Sequence, residues 1–299
     1  MNKKDRIDAF GAGLLVGQSM LLGLNQVLIK IVNTGLAPVF QAGLRSVVAT
    51  FPILIFAIVT RKRLSITDGS LVPGIFCGIL FASEFILLFM ALDYTTVSRA
   101  TVFFYTMPFW VALVAHFLIP GERLTVLRVA GLVLALCGVA WALLGENATA
   151  GRYGFYADIA CLFGAMFWAG IALLTRLTRF RNATPVMQLL YQLAVSSVIL
   201  MPAAPLFGGL VRDFTPMIGG IFAFQVLVVV GVGFLVWFWV LSIYPTSDMA
   251  SFGFLTPLFG VSFGWLILDE QVSIALIGGL AMVSVGIVLI NRKPKRVPG

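Results

Sequence analysis

The sequence predicts an all-α integral membrane protein of ten transmembrane helices, arranged as two inverted five-helix repeats, and three observations carry that expectation. Composition is the first. Hydrophobic residues make up 60% of the chain and charged residues only 11%, with a mean hydropathy of +1.05. A soluble domain has about 25% charged residues, so this chain has too few to wet a surface. Length is the second. A span takes about 20 apolar residues, so ten would use roughly 200 of the 299 residues and leave only tails and short loops. The third is that the chain reads twice. Residues 38–57 open Pro38-Val39-Phe40-Gln41 and carry Arg45, and residues 185–204 open Pro185-Val186-Met187-Gln188 with Gln192 in its place. Pro108, Glu122, Gly131 and Gly138 find counterparts in Pro257, Glu270, Gly279 and Gly286. The first spans of the copies also align, Gly17 on Gly164 and Gly23 on Gly170. The copies are placed at 1–147 and 148–299. An odd number of spans per copy makes the second enter the membrane from the opposite side. Such inversion marks secondary transporters, whose substrate site lies near the midplane where the copies meet.

Taken in order, the first span (roughly 10–31) is too long for a signal h-region and has no small-residue cleavage site after it, so it is read as retained. It carries Gln18, Ser19, Asn25 and Gln26, with Gln18 and Asn25 seven residues apart on one face, and ends at Lys30, read as an interface anchor. The second (38–59) holds Arg45 about two turns in; it could bind a carboxylate or pair with an acid such as Glu84, but snorkelling to the outer surface is the preferred reading. The third (70–92) carries Ser83 and Glu84 near its middle. The fourth (96–118) contains Tyr105, Thr106 and Pro108, with His116 close to its end. The fifth (125–144) is apolar, and the sixth (154–176) has Asp158 near its outer end, where partial hydration is expected to make its charge cheap, and Trp168 deep inside. The seventh (184–207) precedes an eighth (217–243) with Gln225 and Trp237. The ninth (246–268) carries Ser251, Thr256 and Pro257, and the tenth (273–290) completes the second copy. Connections this short force neighbouring helices to run antiparallel. Pro108 and Pro257, at matched places, should each remove a backbone hydrogen bond and bend its helix. Gly13 with Gly17, Gly74 with Gly78 and Gly260 with Gly264 have the small-xxx-small spacing of close helix contact.

The +8 net charge would suggest nucleic acid in a soluble protein, but here its distribution excludes that reading. With ten spans and the N-terminus inside, the basic groups at 3–6, 61–63, 123–128, 176–181 and 292–296 all fall on the cytoplasmic side. Only Lys30, Arg99, Arg152 and Arg212 lie near outer ends. This is the positive-inside pattern, and it places both termini in the cytoplasm. Cys77, Cys137 and Cys161 sit in apolar segments at no metal-ligand spacing. No His-Glu-x-x-His, nucleophile elbow or P-loop occurs, so neither an enzyme nor an ATP-driven pump is expected, and no cofactor is implied.

Chemistry within the membrane narrows to a few side chains. An acid at a helix centre costs about 2.5–3.5 kcal/mol on insertion scales, so Glu84 should face the bundle interior or water. It could carry a proton or meet a substrate ammonium. Gln18 and Asn25 could hydrogen-bond a zwitterion, although such groups also join helices to one another. Tyr105, Trp168 and Trp237 could line an apolar pocket that stacks on a ring.

The run Ala91-Leu92-Asp93-Tyr94-Thr95-Thr96, Pro108, Gly121-Glu122-Arg123-Leu124 and Gly131, with its weaker echo Tyr244-Pro245-Thr246, Pro257, Asp269-Glu270 and Gly279, resembles the paired EamA repeat of the drug/metabolite transporter superfamily. Within it the chain looks most like the bacterial exporters of aromatic amino acids. The resemblance implies ten helices, cytoplasmic termini and a central cavity lined by the first, third, fourth, sixth, eighth and ninth helices, which carry Gln18, Glu84, Tyr105, Trp168 and Trp237. Carriers of phosphorylated substrates need several basic groups in that cavity. Lys30 and Arg45 are the only candidates, which argues against such a substrate. The expectation is therefore a bacterial inner-membrane exporter of aromatic or hydrophobic amino acids and related metabolites. Its partners would be a small molecule and the lipid bilayer, with no nucleic acid and no obligate protein partner. An exporter of lipophilic cationic drugs and a non-transporting receptor or scaffold are the alternatives.

Overall fold

The computed structural model describes residues 7–120, 124–144, 152–244, 249 and 252–291. Glu122, Arg123, Thr246 and Ser251, which figured in the sequence reading, lie outside the described residues. The helices are α1 (Ala9–Asn33), α2 (Pro38–Val59), α3 (Leu71–Tyr94), α4 (Val97–Phe104), α5 (Met107–Leu118), α6 (Val126–Leu144), α7 (Arg152–Leu177), α8 (Pro185–Ala203), α9 (Pro216–Phe224), α10 (Gly233–Ile243), α11 (Leu255–Leu268) and α12 (Ile274–Asn291). A π-helical segment, Gln225–Val232, joins α9 to α10. Among the described residues no strand forms, and one isolated bridge pairs Leu36 with Val211. Eight helical stretches, counting α4 with α5 as one, are long and apolar enough to cross a membrane, and α11 and α12 are shorter apolar helices.

In hydrocarbon an unpaired helix terminus cannot turn to water, so the ends carry their own partners. Asp8 accepts from the Gly11 amide at 2.8 Å, and Thr96, Thr184 and Thr215 cap α4, α8 and α9 in the same way. Pro38, Pro185 and Pro216 open α2, α8 and α9, where a missing N–H costs nothing.

The fourth span is interrupted. α4 ends at Phe104, Tyr105 and Thr106 form a turn, and α5 begins at Met107 with Pro108 as its second residue. The ninth resumes at Leu255 with Pro257 as its third residue, directly after Gly253 and Phe254 in a turn. In both, the ring falls in the first turn of a new helix, where no hydrogen bond is lost and the preceding backbone is free to deviate.

Small residues set the helix contacts. α6 and α12 run antiparallel in van der Waals contact: a Cβ on Gly131 would stand 2.8 Å from the Gly286 carbonyl oxygen, and one on Gly138 would stand 2.8 Å from that of Gly279. Gly23 of α1 is pressed equally close to Gly260 of α11, and Gly74 and Gly78 of α3 receive Tyr191 and Val195 of α8. Ser196 of α8 donates to Ser46 of α2 at 2.9 Å. The Gly13–Gly17 pair makes no such contact, because nothing lies within 4 Å of where either Cβ would be. Among the described residues, no helix packs against the glycine face of that stretch of α1.

One end of the bundle, formed by the C-terminal ends of α1 and α3 and the N-terminal ends of α4 and α7, is closed by polar bonds. Arg99 of α4 forms a buried ion pair with Asp158 of α7 (2.5 and 2.9 Å) and donates to the Ala142 carbonyl at 3.0 Å; Thr95 gives Asp158 a further bond at 2.7 Å. Asp158 is therefore fully buried and paired, where hydration at a span end was expected. Lys30 donates to the carbonyls of Leu92 (2.8 Å) and Thr95 (2.6 Å), so this residue caps the C-terminus of α3 instead of anchoring to an interface. Glu270, in the α11–α12 turn, caps α4 by accepting from the amides of Val97 (2.6 Å) and Ser98 (2.9 Å) and from the Ser98 hydroxyl (2.7 Å).

Candidate functional site

Away from the sealed end, the bundle buries polar groups that have no partner. Glu84 is the first. It lies on α3 with 5% exposure, makes no ion pair, and its Oε2 has no hydrogen-bond partner. Phe81, Phe85 and Phe89 follow at four-residue spacing on the same helix and stack in series, with centroids 4.0 and 5.3 Å apart. Against that ladder lies Arg45 of α2, its guanidinium carbon 4.5 Å from the Phe85 ring centre and 4.9 Å from that of Phe89. Arg45 is 6% exposed, so it does not snorkel outward as expected. The two phenylalanine faces hold it in the interior by cation–π attraction.

One helical turn from Arg45, Gln41 donates to Gln225 at 3.3 Å. Both are fully buried, and the remaining Gln41 Oε1 and Gln225 Nε2 are unpaired. Gln225 is the first residue of the π-helical segment, and such bulges recur at functional sites. The Asn25 carbonyl oxygen on α1 is a further buried atom without a partner.

On the other side of Glu84 stands a group of rings. Phe104 stacks on Trp168 at 5.2 Å with 18° between planes, and Tyr105 meets Trp168 edge-on at 5.6 Å. Gly164, one turn before Trp168, makes room for this: its Cβ would stand 3.3 Å from the Phe104 ring and 3.8 Å from the Glu84 carbonyl oxygen. The break after Phe104 turns Tyr105 into the group, and its hydroxyl and the Arg45 guanidinium both fall within electrostatic reach of the Glu84 carboxyl. Gln26 of α1 accepts from Thr101 one turn earlier on α4.

Of the residues singled out from the sequence, Glu84, Tyr105 and Trp168 are therefore brought together. Gln18 is half-buried and faces Gly233 at the end of the π segment. Trp237 is 36% exposed and makes no ring contact with the group. Sequence reasoning gave Arg45 a surface role and overlooked the alignment of Gln41 with it. The i, i+4 spacing of two polar side chains in an otherwise apolar span was the available signal. His116 accepts from the Leu124 amide at 3.2 Å and ties the end of α5 to the next loop, a structural role.

Chemically, the site offers an acidic group, a cation and two amides, with aromatic faces beside them. Buried polar atoms are normally satisfied, and this open cluster is therefore the candidate site. Among the described residues no group of His, Cys, Asp and Glu could hold a metal ion.

Comparison with known proteins agrees with this picture. A solved crystal structure superposes with a TM-score of 0.66 over 92% of this chain and 94% of its own length, at 19% identity, which shows a shared fold. The "Uncharacterized transporter YoaV" of Bacillus subtilis (strain 168) is 25% identical over 91% of this chain and 94% of its own. The "Probable amino-acid metabolite efflux pump" of Escherichia coli (strain K12) is 28% identical over 96% and 94%. A protein of the same name in Salmonella typhimurium (strain LT2) is 27% identical over 94% of each chain. The model of the EamA-like transporter family matches residues 9–144 and again 155–292, so the chain belongs to the EamA-like transporter family and is a multi-pass membrane transporter.

Proposed function

We propose that this transporter exports aromatic or other hydrophobic amino acids and related metabolites across a bacterial inner membrane by alternating access. The observation that carries the reading is the buried Glu84, its Oε2 without a hydrogen-bond partner, within electrostatic reach of Tyr105 in the Phe104–Tyr105–Trp168 ring group. An aromatic amino acid presents a ring for such a group and an ammonium for such a carboxylate. The two relatives named as amino-acid metabolite efflux pumps point the same way.

Ten spans in two inverted repeats and cytoplasmic termini belong to this reading. The contact between α6 and α12 supports the inversion. Gly131 and Gly279 are matched positions in the repeats, as are Gly138 and Gly286, and the close approaches are Gly131 to Gly286 and Gly138 to Gly279. A two-fold axis perpendicular to the helices, lying in the membrane plane, generates such reciprocal antiparallel contacts. The sealed end is then the outer one, and the halves rock about the site with the interruptions before Pro108 and Pro257 as flexible joints. Gln18, Asn25 and Trp237 join the substrate in the state that opens the cavity.

The test is uptake of labelled tryptophan into proteoliposomes, with and without a pH gradient, beside empty liposomes and a lysine control. Saturable tryptophan flux with no lysine flux is expected. Folded protein that moves no tryptophan but carries lipophilic cations would establish the drug-export alternative, and folded protein with no flux of any kind would favour the receptor or scaffold. Proton coupling through Glu84 predicts that the pH gradient accelerates flux and that Glu84→Gln abolishes the acceleration.

A further inference from the structure

Arg45 is a buried charge whose place the packing does not explain. Its guanidinium carries five donors. Among the described residues none of them meets an acceptor, and Arg45 makes no ion pair. Burial of an unpaired charge costs several kcal/mol, and a structural arginine normally recovers this through an ion pair. Arg99 in the same protein does so with Asp158. Arg45 has Glu84 within electrostatic reach, yet the two remain unbonded. The rings of Phe85 and Phe89 lie against the guanidinium. They are apolar surfaces and satisfy no N–H donor. One turn back along α2, Gln41 holds Gln225, whose Nε2 also has hydrogens without an acceptor.

Unmet donors on a cation and an amide call for an anion with two acceptor oxygens. A single arginine with an adjoining amide suits a carboxylate, which the planar guanidinium binds through two parallel hydrogen bonds. Opposite charges held apart by the fold match a ligand that carries both. We infer that Arg45, with Gln225 held in place by Gln41, binds the carboxylate of an α-amino acid while Glu84 binds its ammonium, so that the site reads the whole zwitterion. This rests on the proposed amino-acid transport and names the residues that select amino acids over the corresponding amines and acids. Arg45 contacts substrate directly, and Gln41 is a positioning residue.

Two truncated ligands separate the charges. Tryptamine lacks the carboxylate and indole-3-propionate lacks the ammonium. In the wild-type protein in proteoliposomes, both should inhibit labelled tryptophan uptake far more weakly than unlabelled tryptophan does. Arg45→Gln should weaken tryptophan at least about thirtyfold, the loss expected when one partner of a buried charge pair is removed. Its affinity for tryptamine should stay the same, which collapses the discrimination and also certifies the fold. Glu84→Gln should do the mirror experiment, sparing indole-3-propionate. Should Arg45→Gln fail to fold, Arg45→Lys is measured in its place, with the same direction expected because the ammonium cannot make the two-pronged contact. Equal losses for tryptophan and tryptamine, or no loss for either, overturn the assignment while leaving amino-acid transport standing. Wild-type protein that is folded but carries no tryptophan overturns both.

Discussion

The two places where this bundle buries charge are built in opposite ways. At the sealed end, Arg99 and Asp158 hold each other through two bonds, Thr95 and the Ala142 carbonyl add more, and Glu270 accepts three donors at the N-terminus of α4. Further along the bundle, Glu84, Arg45, Gln41 and Gln225 are also buried, and among them acceptors and donors are left open. Burial alone therefore does not identify function. Satisfied buried charge joins helices here, and the open charges are the ones that the proposed function assigns to substrate.

That contrast is broken or sharpened most strongly at the ion pair. Asp158→Ala leaves Arg99 buried and alone, so unfolding in detergent should show a loss of about 3–5 kcal/mol; a loss under 1 kcal/mol would mean that water reaches the guanidinium and that the end is not sealed. Packing comes next. Gly138→Leu drives a side chain into the Gly279 carbonyl, a backbone group that cannot step aside, and should cost about 1–3 kcal/mol in the same assay. Ser98→Ala removes one hydroxyl bond to Glu270 while both backbone amides remain, and about 1 kcal/mol should be lost. Glu84→Gln should cost nothing, with stability equal to or above that of wild type, because a buried charge without a bonded partner adds no stability of its own. Loss of tryptophan flux in that variant at undiminished stability would separate the two kinds of burial. A variant as destabilised as Asp158→Ala would merge them.

Much of this was legible in the sequence, and the reason is physical. Apolar length gives spans, glycine spacing gives contacts such as Gly74–Gly78 against α8, and Tyr105 with Trp168 stands out as amphipathic rings deep in their helices. What sequence could not show was direction. Arg45 lies as close to a helix end as a snorkelling residue would, and only the Phe85 and Phe89 faces on another helix turn it inward. Asp158 reads as a tolerable charge near a span end until Arg99, 59 residues earlier, is seen to reach it. Gly13 and Gly17 have the spacing of a contact, but no neighbour comes to meet them. Nor does any residue pattern announce the π segment at Gln225, which depends on how α9 and α10 pack.

The Arg99–Asp158 pair also bears on how the chain is made. The ribosome delivers α4 to the membrane well before α7 exists, so Arg99 enters with its counter-charge not yet synthesised. At a helix centre that would cost about 2.5–3.5 kcal/mol, and its place near a span end makes the cost smaller. The first repeat on its own therefore carries an open debt that only the second can settle. A first half expressed alone should therefore be less stable in the membrane, and co-expression of the second half should restore it.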